Sequence, residues 1–447
     1  MKIVIVGNNV AGTFSAQNIR SLDDKVEINI FTQESYPYYT RVDLPELISD
    51  KTTIEKLIVF KKDWYQKKNL NLYLSKKAIR LDPKKKIIYF EGESEAVSFD
   101  KLILALGSTP NIPPIKNALE MRDNKKGVFT LRSINDALEI KEFIKNNGAK
   151  KAIIIGGGLL GLELATQIKE GNLDTTVVEF FPRLLPRQLD EDCGNMLKSE
   201  IENRDIKVIL NATTEEILGS EKVSGIKLKD GRVIEADIIL IQAGIRPTTE
   251  LAKKGNIETD KGIIVNEFLE TSKKDIYAVG DCIQYKNQIW GIIPACIEQS
   301  KIIAASVLGL KKVEYKGTTP KNTLKIIGLD LTSIGIINPS KEEKGGWDIL
   351  KKADKKNCCY QKLILKDNKL KGAILFGENQ ALSYVYKKME QDVDREEVKK
   401  LLELYTYRCE NCGAEYDESM KDILFENLPE DFKCKCGQIK KGFKRKN

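Results

Sequence analysis

The chain has 447 residues, of which 41% are hydrophobic and 31% are charged, a balance typical of a globular protein with about three domains. No apolar run reaches the ~18 residues that a membrane-spanning helix needs, and the first apolar stretch is too short for a signal peptide, so we expect a cytoplasmic protein without membrane association. The net charge of +8 is modest, and we interpret the basic tail at residues 440–446 as a solvated end in preference to a nucleic-acid site.

The counts of histidine and cysteine restrict the chemistry further. The sequence contains no histidine, which excludes histidine bases, histidine metal ligands and Ser–His or Cys–His nucleophiles. Four of the nine cysteines lie in the last 40 residues, a distribution that indicates a metal site and not a disulfide framework. The chemistry must therefore be carried by a cofactor, by thiolates, or by carboxylates and amines.

The first elements predict a dinucleotide-binding unit. A β-branched run at residues 3–6 enters a turn that carries Gly7, Asn9 and Gly12, and a helical pattern and a second strand follow. Glu34 lies 22 positions after Gly12, close to the ~20 expected for an acid that binds ribose, while the helix N-terminus would face a pyrophosphate. Asn9 stands where the fingerprint has its middle glycine; asparagine tolerates positive φ but adds a side chain.

A second unit of the same kind begins about 150 residues later. Strand residues 152–155 precede Gly156, Gly158 and Gly161, and Glu179 follows the next strand, 18 positions after Gly161. A carboxylate there would accept hydrogen bonds from ribose and repel a 2′-phosphate, which favours NADH over NADPH. Two such units predict one bound flavin and one exchanging nicotinamide cofactor; the alternative is two folds with a single working site.

Three later segments resemble the FAD/NAD(P)-binding pyridine nucleotide-disulfide oxidoreductase superfamily. Residues 99–108 match the strand that closes the first FAD segment, except that Leu106 replaces the usual threonine. Residues 244–247 match the return from the NAD domain, and residues 276–281 match the second FAD motif, whose aspartate accepts from the ribityl chain.

The resemblance implies an α/β fold with two Rossmann-like domains and an FAD cofactor. Together with the two glycine turns, it gives a predicted cofactor-binding set of Gly7, Asn9, Gly12, Glu34, Arg41, Ala78, Gly107, Gly156, Gly158, Gly161, Glu179, Gly244, Asp281 and Ala295.

Residues 37–44 and 322–331 resemble one branch of that superfamily, the NADH:rubredoxin reductases and the flavin domains of nitrite reductases. The resemblance implies that a helix starting within residues 292–299 points its positive N-terminus at the flavin. It also implies Arg41 as an added positive group and Glu163 as a residue near the nicotinamide, and we take both as candidate catalytic residues. The alternative is that both are ordinary solvated or structural charges.

Cysteine positions separate this chain from the disulfide reductases of the superfamily. Those enzymes carry a redox cysteine shortly after the first FAD unit, whereas here no cysteine precedes Cys193. Reduced FAD is therefore expected to pass electrons directly to an acceptor. Cys282 and Cys296 are interpreted as core or wall residues, although a thiolate close to a helix N-terminus would be activated.

The last 43 residues predict a small metal-binding module. About 40 residues cannot build a good hydrophobic core, and a metal held by Cys409, Cys412, Cys434 and Cys436 would supply the missing stability. Residues 405–417 and 425–437 resemble rubredoxin, but the second cysteine pair is one residue shorter than the rubredoxin pattern, which should distort the metal tetrahedron. Iron is the favoured metal; a zinc ribbon and a metal-free module are the alternatives.

These elements predict a discontinuous FAD domain, an inserted NAD domain, a small α+β domain that closes over the flavin or forms a homodimer face, a linker, and the rubredoxin-like domain. Their limits are 1–112 with 245–317, 113–244, 318–392, 393–404 and 405–447.

The predicted activity is transfer of a hydride from NADH to FAD, followed by single-electron transfer to iron and then to a redox protein. The acceptor would be rubredoxin or a diiron or flavin protein that reduces oxygen or peroxide, and the fusion would raise the effective concentration of the metal centre. The alternatives are a small-acceptor reductase such as an NADH oxidase with a zinc docking module, and a non-catalytic redox sensor.

Overall fold

The computed structural model describes residues 1–310, 313–326, 328–339, 346–354, 356–377, 380–421 and 423–446, without the side chains of residues 321–326. Of the 322–331 motif, Ile327 and those side chains lie outside the described residues, as do Asp422 and Asn447 of the C-terminal module. The chain divides into two compact units, Met1–Val178 with Thr213–Thr318, and Glu179–Ala212 with Thr319–Asn447.

Two parallel sheets organise the first unit, and each contains the predicted strand that leads into one of the glycine turns. The first sheet has, in order, Ile276–Ala278, Lys101–Leu104, Lys2–Val6, Glu27–Phe31 and Asn71–Tyr73. The second has, within this unit, Asp174–Val178, Lys151–Ile155, Ile238–Ile241 and Val128–Phe129. The strands are mostly fully buried, which explains their continuous apolar runs, because parallel sheets are covered on both faces.

Helices and short antiparallel strands complete the first unit. The helices are Val10–Leu22, Leu44–Ile48, Ile54–Leu57, Lys62–Lys67, Ala118–Asp123, Ile134–Asn147, Leu159–Glu170, Glu250–Lys254 and Ile293–Val307. The antiparallel strands are Ala78–Asp82, Ile87–Phe90 and Val97–Ser98 in one sheet, Thr214–Gly219, Val223–Leu228 and Val233–Glu235 in another, and Ser108–Pro110 paired with Ile245–Pro247. Ile263–Ile264 and Ile283–Gln284 form a short parallel pair.

The helix Ile134–Asn147 is fixed at its start by a local capping motif. Ser133 caps the helix Ile134–Asn147, because its hydroxyl accepts from the backbone N–H of Asp136 while the Asp136 carboxylate accepts from the backbone N–H of Ser133. This capping box determines the position of Arg132, the residue immediately before it.

The second unit is built on an antiparallel sheet with the order Lys321–Ile326, Leu329–Gly335, Lys369–Gly377, Cys359–Lys366 and Trp347–Asp354. Its helices are Glu191–Glu202, Leu382–Lys388 and Arg395–Leu401, and Ile206–Ile209 is a further strand. A small sheet of Glu415–Asp417, Thr406–Cys409 and Phe443–Arg445 carries the cysteine module.

Residues 179–212 belong to the second unit although the sequence placed them in the NAD domain. Half-buried Asp190 contributes to this, because its carboxylate accepts hydrogen bonds from Tyr360 and from Lys362, the latter at 2.8 Å. Lys351 adds an ion pair to Asp192 at 2.8 Å. These three strand residues attach the segment to the antiparallel sheet, and the predicted domain limits stay a prediction.

The stretch expected as a linker, 393–404, is ordered and packed. Its helix Arg395–Leu401 buries Val398, and Leu402 and Leu404 follow it into the same apolar cluster as Leu363 of the sheet. Leu424 of the cysteine module joins this cluster and is 5% exposed. The module is therefore packed against the α+β sheet, so the stretch is not a free tether.

Polar contacts reinforce this packing. Arg395 donates to Asp348 of the sheet at 2.7 Å and to Ser419 of the module at 3.2 Å. Lys399 donates to Asp417 at 3.1 Å. A small aromatic cluster, in which Tyr407 and Phe425 stack at 4.0 Å, fills the module itself.

The α/β class predicted from the sequence is confirmed by the two parallel sheets. No described helix combines the length and the hydropathy that crossing a lipid bilayer demands.

We expect Leu424→Ala to loosen the cysteine module from the sheet, because a buried leucine is truncated at a cost of roughly 2–4 kcal/mol. Limited proteolysis and hydrogen exchange of the 405–446 amides should then show faster cleavage and exchange. Ile423→Ala is the matched control, since Ile423 is 49% exposed. Equal protection in both variants would show that the module is held by other contacts.

Candidate functional site

The first glycine turn has the shape that a dinucleotide-binding turn requires. Gly7 has φ of +116°, and a Cβ on it would lie 2.0 Å from the carbonyl oxygen of Ala105. A Cβ on Gly12 would lie 1.9 Å from the carbonyl oxygen of Gly7. Both glycines are therefore required by close backbone packing, and they bring the helix N-terminus against the 105–108 segment.

Asn9 does not use the positive φ that made asparagine acceptable in the sequence analysis. Its φ of −110° and ψ of −164° are extended, and its side-chain oxygen accepts from the backbone N–H of Val10 at 2.8 Å. Asn9 is the N-cap of the helix Val10–Leu22. The residue thus replaces glycine because the position tolerates a side chain that caps the helix.

The second turn separates the roles of its three glycines. A Cβ on Gly156 would lie 2.4 Å from the carbonyl oxygen of Gln242, and a Cβ on Gly161 would lie 2.1 Å from the carbonyl oxygen of Gly156. A Cβ on Gly158 would have no atom of the described chain within 4 Å. Packing therefore requires the first and third glycines, whereas the middle one faces open space where a pyrophosphate would approach.

The helix Leu159–Glu170 starts at Gly158 without a side-chain cap. Its N-cap residue therefore offers no side-chain acceptor to the first backbone N–H groups, which together with the helix dipole suit an anion. The turn fits a dinucleotide on this structural evidence as well as on its sequence.

The predicted FAD residues of the first unit converge on one end of the first sheet. A Cβ on Gly280 would lie 2.7 Å from the Cβ of Ala11, so the Asp281 motif lies against the start of the first helix. The thiol of Cys296 is 3.7 Å from a carboxylate oxygen of Asp281, which places the start of the Ile293–Val307 helix, with Ala295, at the same point.

Arg132 is a member of this cluster that the sequence analysis missed. Its guanidinium donates to the hydroxyl of Ser108 at 2.6 Å and to the carboxylate of Asp281 at 3.0 Å. Three distant parts of the chain meet in this contact. A lone arginine before a helix carries no motif, and the signal was therefore too weak to detect.

The electrostatics of the cluster indicate an anion. Burial lowers the pKa of Arg132, and repulsion by the nearby guanidinium of Arg41 lowers it further. Arg41 forms an ion pair with Glu34, which also accepts from the hydroxyl of Tyr39. The buried Nε of Arg41 has no hydrogen-bond acceptor among the residues that the structure describes. Two half-buried cations, one of which holds Asp281, fit the pyrophosphate of FAD.

The remaining predicted cofactor residues are placed as follows. Ala78 begins the strand Ala78–Asp82 and packs on the core of the first unit. Gly107 and Gly244 have φ of +68° and +89°. Glu163 lies in the helix Leu159–Glu170, in the first unit. Glu179, in the second unit, directly follows the strand Asp174–Val178, is 6% exposed and accepts from the backbone N–H of Phe181 at 2.8 Å.

Neither cysteine near the flavin motif has the features of a reactive thiolate. Cys282 and Cys296 are both buried. Burial raises the pKa of Cys282 to about 11, and burial followed by the charge of Asp281 raises the pKa of Cys296 well above its ordinary value. The helix N-terminus does not activate Cys296, and both residues act as wall residues of the cluster.

The four C-terminal cysteines form a site that fits a tetrahedral metal. Their sulfurs all lie within 4.8 Å of one another, with Cys409 and Cys436 at 3.7 Å and Cys412 and Cys434 at 3.4 Å. A tetrahedron with metal–sulfur bonds of about 2.3 Å has edges of about 3.8 Å. The shortened second knuckle still closes a turn, because the N–H of Gly437 donates to the carbonyl of Cys434 at 2.8 Å.

Proton sharing among the thiols shows why a cation belongs there. The backbone N–H of Gln438 is the main cause that lowers the pKa of Cys436 to about 6. The backbone N–H of Ala414 acts in the same direction on Cys412, but hydrogen bonds with the thiols of Cys434 and Cys436 raise its pKa to about 12. Four adjacent thiolates thus cannot coexist without a positive ion to compensate their charge.

Comparison with known proteins identifies the family. Residues 1–300 match the family Pyridine nucleotide-disulphide oxidoreductase, and residues 320–393 match the family Rubredoxin NAD+ reductase C-terminal domain. The chain belongs to the pyridine nucleotide-disulphide oxidoreductase family. The predicted superfamily is confirmed, and the relatives of this chain are NAD(P)H oxidoreductases, the class of enzyme predicted from the sequence.

Individual relatives carry several names. A nitrite reductase [NAD(P)H] of Bacillus subtilis is 33% identical over 442 residues, which cover 99% of this chain and 52% of that protein. The NADH-rubredoxin oxidoreductase of Clostridium acetobutylicum is 31% identical over 84% of this chain and 91% of its own length. The crystal structure of the latter superposes with a TM-score of 0.70 over 88% of this chain and 96% of that chain, at 30% identity.

A third relative, the NADH oxidase of Methanocaldococcus jannaschii, is 33% identical over 70% of this chain and 72% of that protein. The chain spans about half the length of the curated relatives that it matches first.

We expect Gly158→Ala and Gly161→Ala to differ in kind. Gly161→Ala meets a backbone carbonyl and should lower the free energy of unfolding by about 1–3 kcal/mol. Gly158→Ala enters open space and should change it by less than about 1 kcal/mol, yet raise the dissociation constant for NADH by ~10-fold or more, since the new methyl faces the pyrophosphate. Thermal unfolding and fluorescence titration with NADH measure both. Unaltered NADH affinity in Gly158→Ala would contradict the assignment of this turn.

We expect the anaerobically purified chain to hold one metal ion, and Cys409→Ser to lose most of it, because three thiolates and a hydroxyl bind iron or zinc less well. Elemental analysis and thiolate-to-metal absorption check this. Cys359→Ser, another buried cysteine, should keep the metal. Equal metal content in the two variants would contradict the assignment of the metal site to the C-terminal module.

Proposed function

We propose that this chain oxidises NADH at a bound FAD and delivers the electrons one at a time to iron held by Cys409, Cys412, Cys434 and Cys436, and from there to a redox protein. The observation that carries the proposal is the four-sulfur cluster in a module packed onto the α+β sheet of a chain with two dinucleotide turns. FAD, when bound, supplies the chemistry that accepts a hydride and releases single electrons.

The proposed roles of the FAD-site residues follow from their positions. The backbone N–H groups at the start of the helix Val10–Leu22, in the turn between Gly7 and Gly12, bind the pyrophosphate. Arg41 and Arg132 supply positive charge to it. Asp281 accepts from the ribityl chain and is oriented by Arg132 and Ser108, whose donor distances to it are 3.0 and 2.9 Å. Glu34, next to Arg41, is proposed for the adenosine ribose. Ala78, Gly107 and Ala295 complete the wall of the site.

The proposed nicotinamide site uses the second turn. Gly156, Gly158 and Gly161 let the pyrophosphate approach the helix N-terminus, and Glu163 of that helix is proposed to lie near the nicotinamide. We propose NADH as the donor, because a buried carboxylate at Glu179 disfavours a 2′-phosphate. None of the described cysteines forms a disulfide, and the five outside the metal set suit a reducing compartment, so we place the protein in the cytoplasm.

The relative that is named NADH-rubredoxin oxidoreductase supports a rubredoxin-type acceptor. The fit of four thiolates to iron supports a one-electron outlet within the chain, although the same geometry accommodates zinc. A second candidate function, reduction of oxygen or another small acceptor at the flavin with zinc in the module, is favoured by the relative that is named NADH oxidase.

The double variant Cys412→Ser/Cys436→Ser distinguishes the two functions. We expect NADH to reduce its flavin at the normal rate, whereas reduction of an added rubredoxin falls at least ~10-fold, which corresponds to about 1.4 kcal/mol in activation free energy. Cys358→Ser serves as the control. Stopped-flow absorption and oxygen consumption measure the two half-reactions. Normal rubredoxin reduction in the double variant would contradict the proposal and favour the small-acceptor function.

A further inference from the structure

The rim of the cysteine module is strongly basic. A groove of about 450 Å³ beside the metal site is lined by Cys409, Cys412 and Gly413 and by five charged side chains, namely Arg408, Glu410, Lys444, Arg445 and Lys446. Four of the five charges are positive. Cys412 is exposed, so the groove gives direct access to one of the four sulfurs.

The positive side chains are held in place around this sulfur. Lys444 pairs with Glu410 at 2.5 Å, and Lys446 pairs with Glu415 at 2.9 Å. The guanidinium of Arg445 lies 3.1 Å from the centroid of the Tyr405 ring. The guanidinium of Arg408 lies 3.3 Å from the position that a Cβ on Gly413 would take. It therefore lies over the turn that carries Cys409 and Cys412.

Basic residues continue on the second knuckle. Lys435 stands between Cys434 and Cys436, and Lys433 precedes the pair; both lysines are exposed. The acidic side chains of the module differ in exposure, and five of those that the structure describes are exposed, namely Glu410, Glu415, Glu426, Glu430 and Asp431. Glu418 is 3% exposed and accepts from the backbone N–H groups of Tyr405 and Phe425, while Asp417 pairs with Lys399. The excess of cations is thus a property of the groove beside Cys412, where four positive side chains and one carboxylate form the lining.

We propose that this basic rim, defined as Arg408, Lys444, Arg445 and Lys446, is a docking surface for an acidic protein that accepts one electron. The proposal rests on the proposed function, because it gives the metal site a partner. Complementary charge steers such a partner to the surface and fixes its register, and the exposed Cys412 lies where the electron would leave. The pairs with Glu410 and Glu415 neutralise part of the rim but leave it positive.

The test uses the full chain with its FAD and metal and two protein acceptors, an acidic free rubredoxin and the basic protein cytochrome c. Reduction of the acidic acceptor should slow ~10-fold between about 20 mM and about 200 mM salt, while reduction of cytochrome c should not slow. The triple variant Arg408→Gln/Lys444→Gln/Lys446→Gln should lose ~10-fold in rate at low salt and lose its salt dependence.

The matched control, Lys62→Gln/Lys84→Gln/Lys85→Gln, removes the same number of exposed charges from the other unit and should behave like the unmodified chain. Flavin reduction by NADH, measured alone, reports on the proposed function: its absence would overturn that function, and its presence without a salt effect would overturn the docking surface only. Two further results would also overturn the docking surface. The first is a shift of the metal potential in the triple variant with unchanged acceptor kinetics, because the cations would then serve to compensate the charge of the metal site. The second is binding of duplex DNA that depends on the rim and has no effect on electron transfer.

Discussion

The repulsion among four cysteine sulfurs within 4.8 Å of one another is the constraint on which the C-terminal module, and with it the proposed electron outlet, depends. Neutral thiols at such distances compete for protons, and ionised ones repel, so a cation is the simplest stable partner of the set. A metal ion bound by the four sulfurs would compensate their charge and would give the module its proposed role as an electron outlet. A small aromatic cluster around Phe425 is otherwise the main apolar support within the module.

The packing of the module changes how the fusion is expected to work. A flexible linker would act only by raising the effective concentration of the metal centre. Here Leu402, Leu404 and Leu424 enter one apolar cluster with the α+β sheet, and Arg395 joins the sheet to the module. The metal module is thus a fixed part of the second unit, and its outward face is set by the fold. Because this face is fixed, the basic rim can present its charges to a partner in one defined arrangement.

Sequence analysis predicted the parts of the fold that short-range geometry determines. Gly7, Gly12, Gly156 and Gly161 were recognisable because a Cβ at each would meet a backbone carbonyl at 2.4 Å or less, which only glycine avoids. The four cysteines were recognisable because their spacing forces sulfurs together.

The misses concern contacts between distant segments. Arg132 became part of the site through Ser108 and Asp281, and no local pattern encodes such a meeting. Asn9 was accepted for a positive φ, whereas the structure uses it as a helix cap. Cys296, by contrast, was interpreted as a core or wall residue, and its burial agrees with that interpretation. The contacts of half-buried Asp190 with Tyr360 and Lys362 are likewise not visible in the sequence, while the predicted domain limits stay a prediction.

The central claim is that electrons from NADH pass through a flavin to a metal in one chain. The most direct measurement is anaerobic titration of the purified protein with NADH while the flavin and iron–thiolate absorption bands are followed together. The account predicts that both bands bleach in sequence, with three electrons consumed per chain when the flavin takes two and the iron takes one. A protein whose flavin bleaches while an iron–thiolate band stays oxidised, or whose module holds no iron, would contradict it.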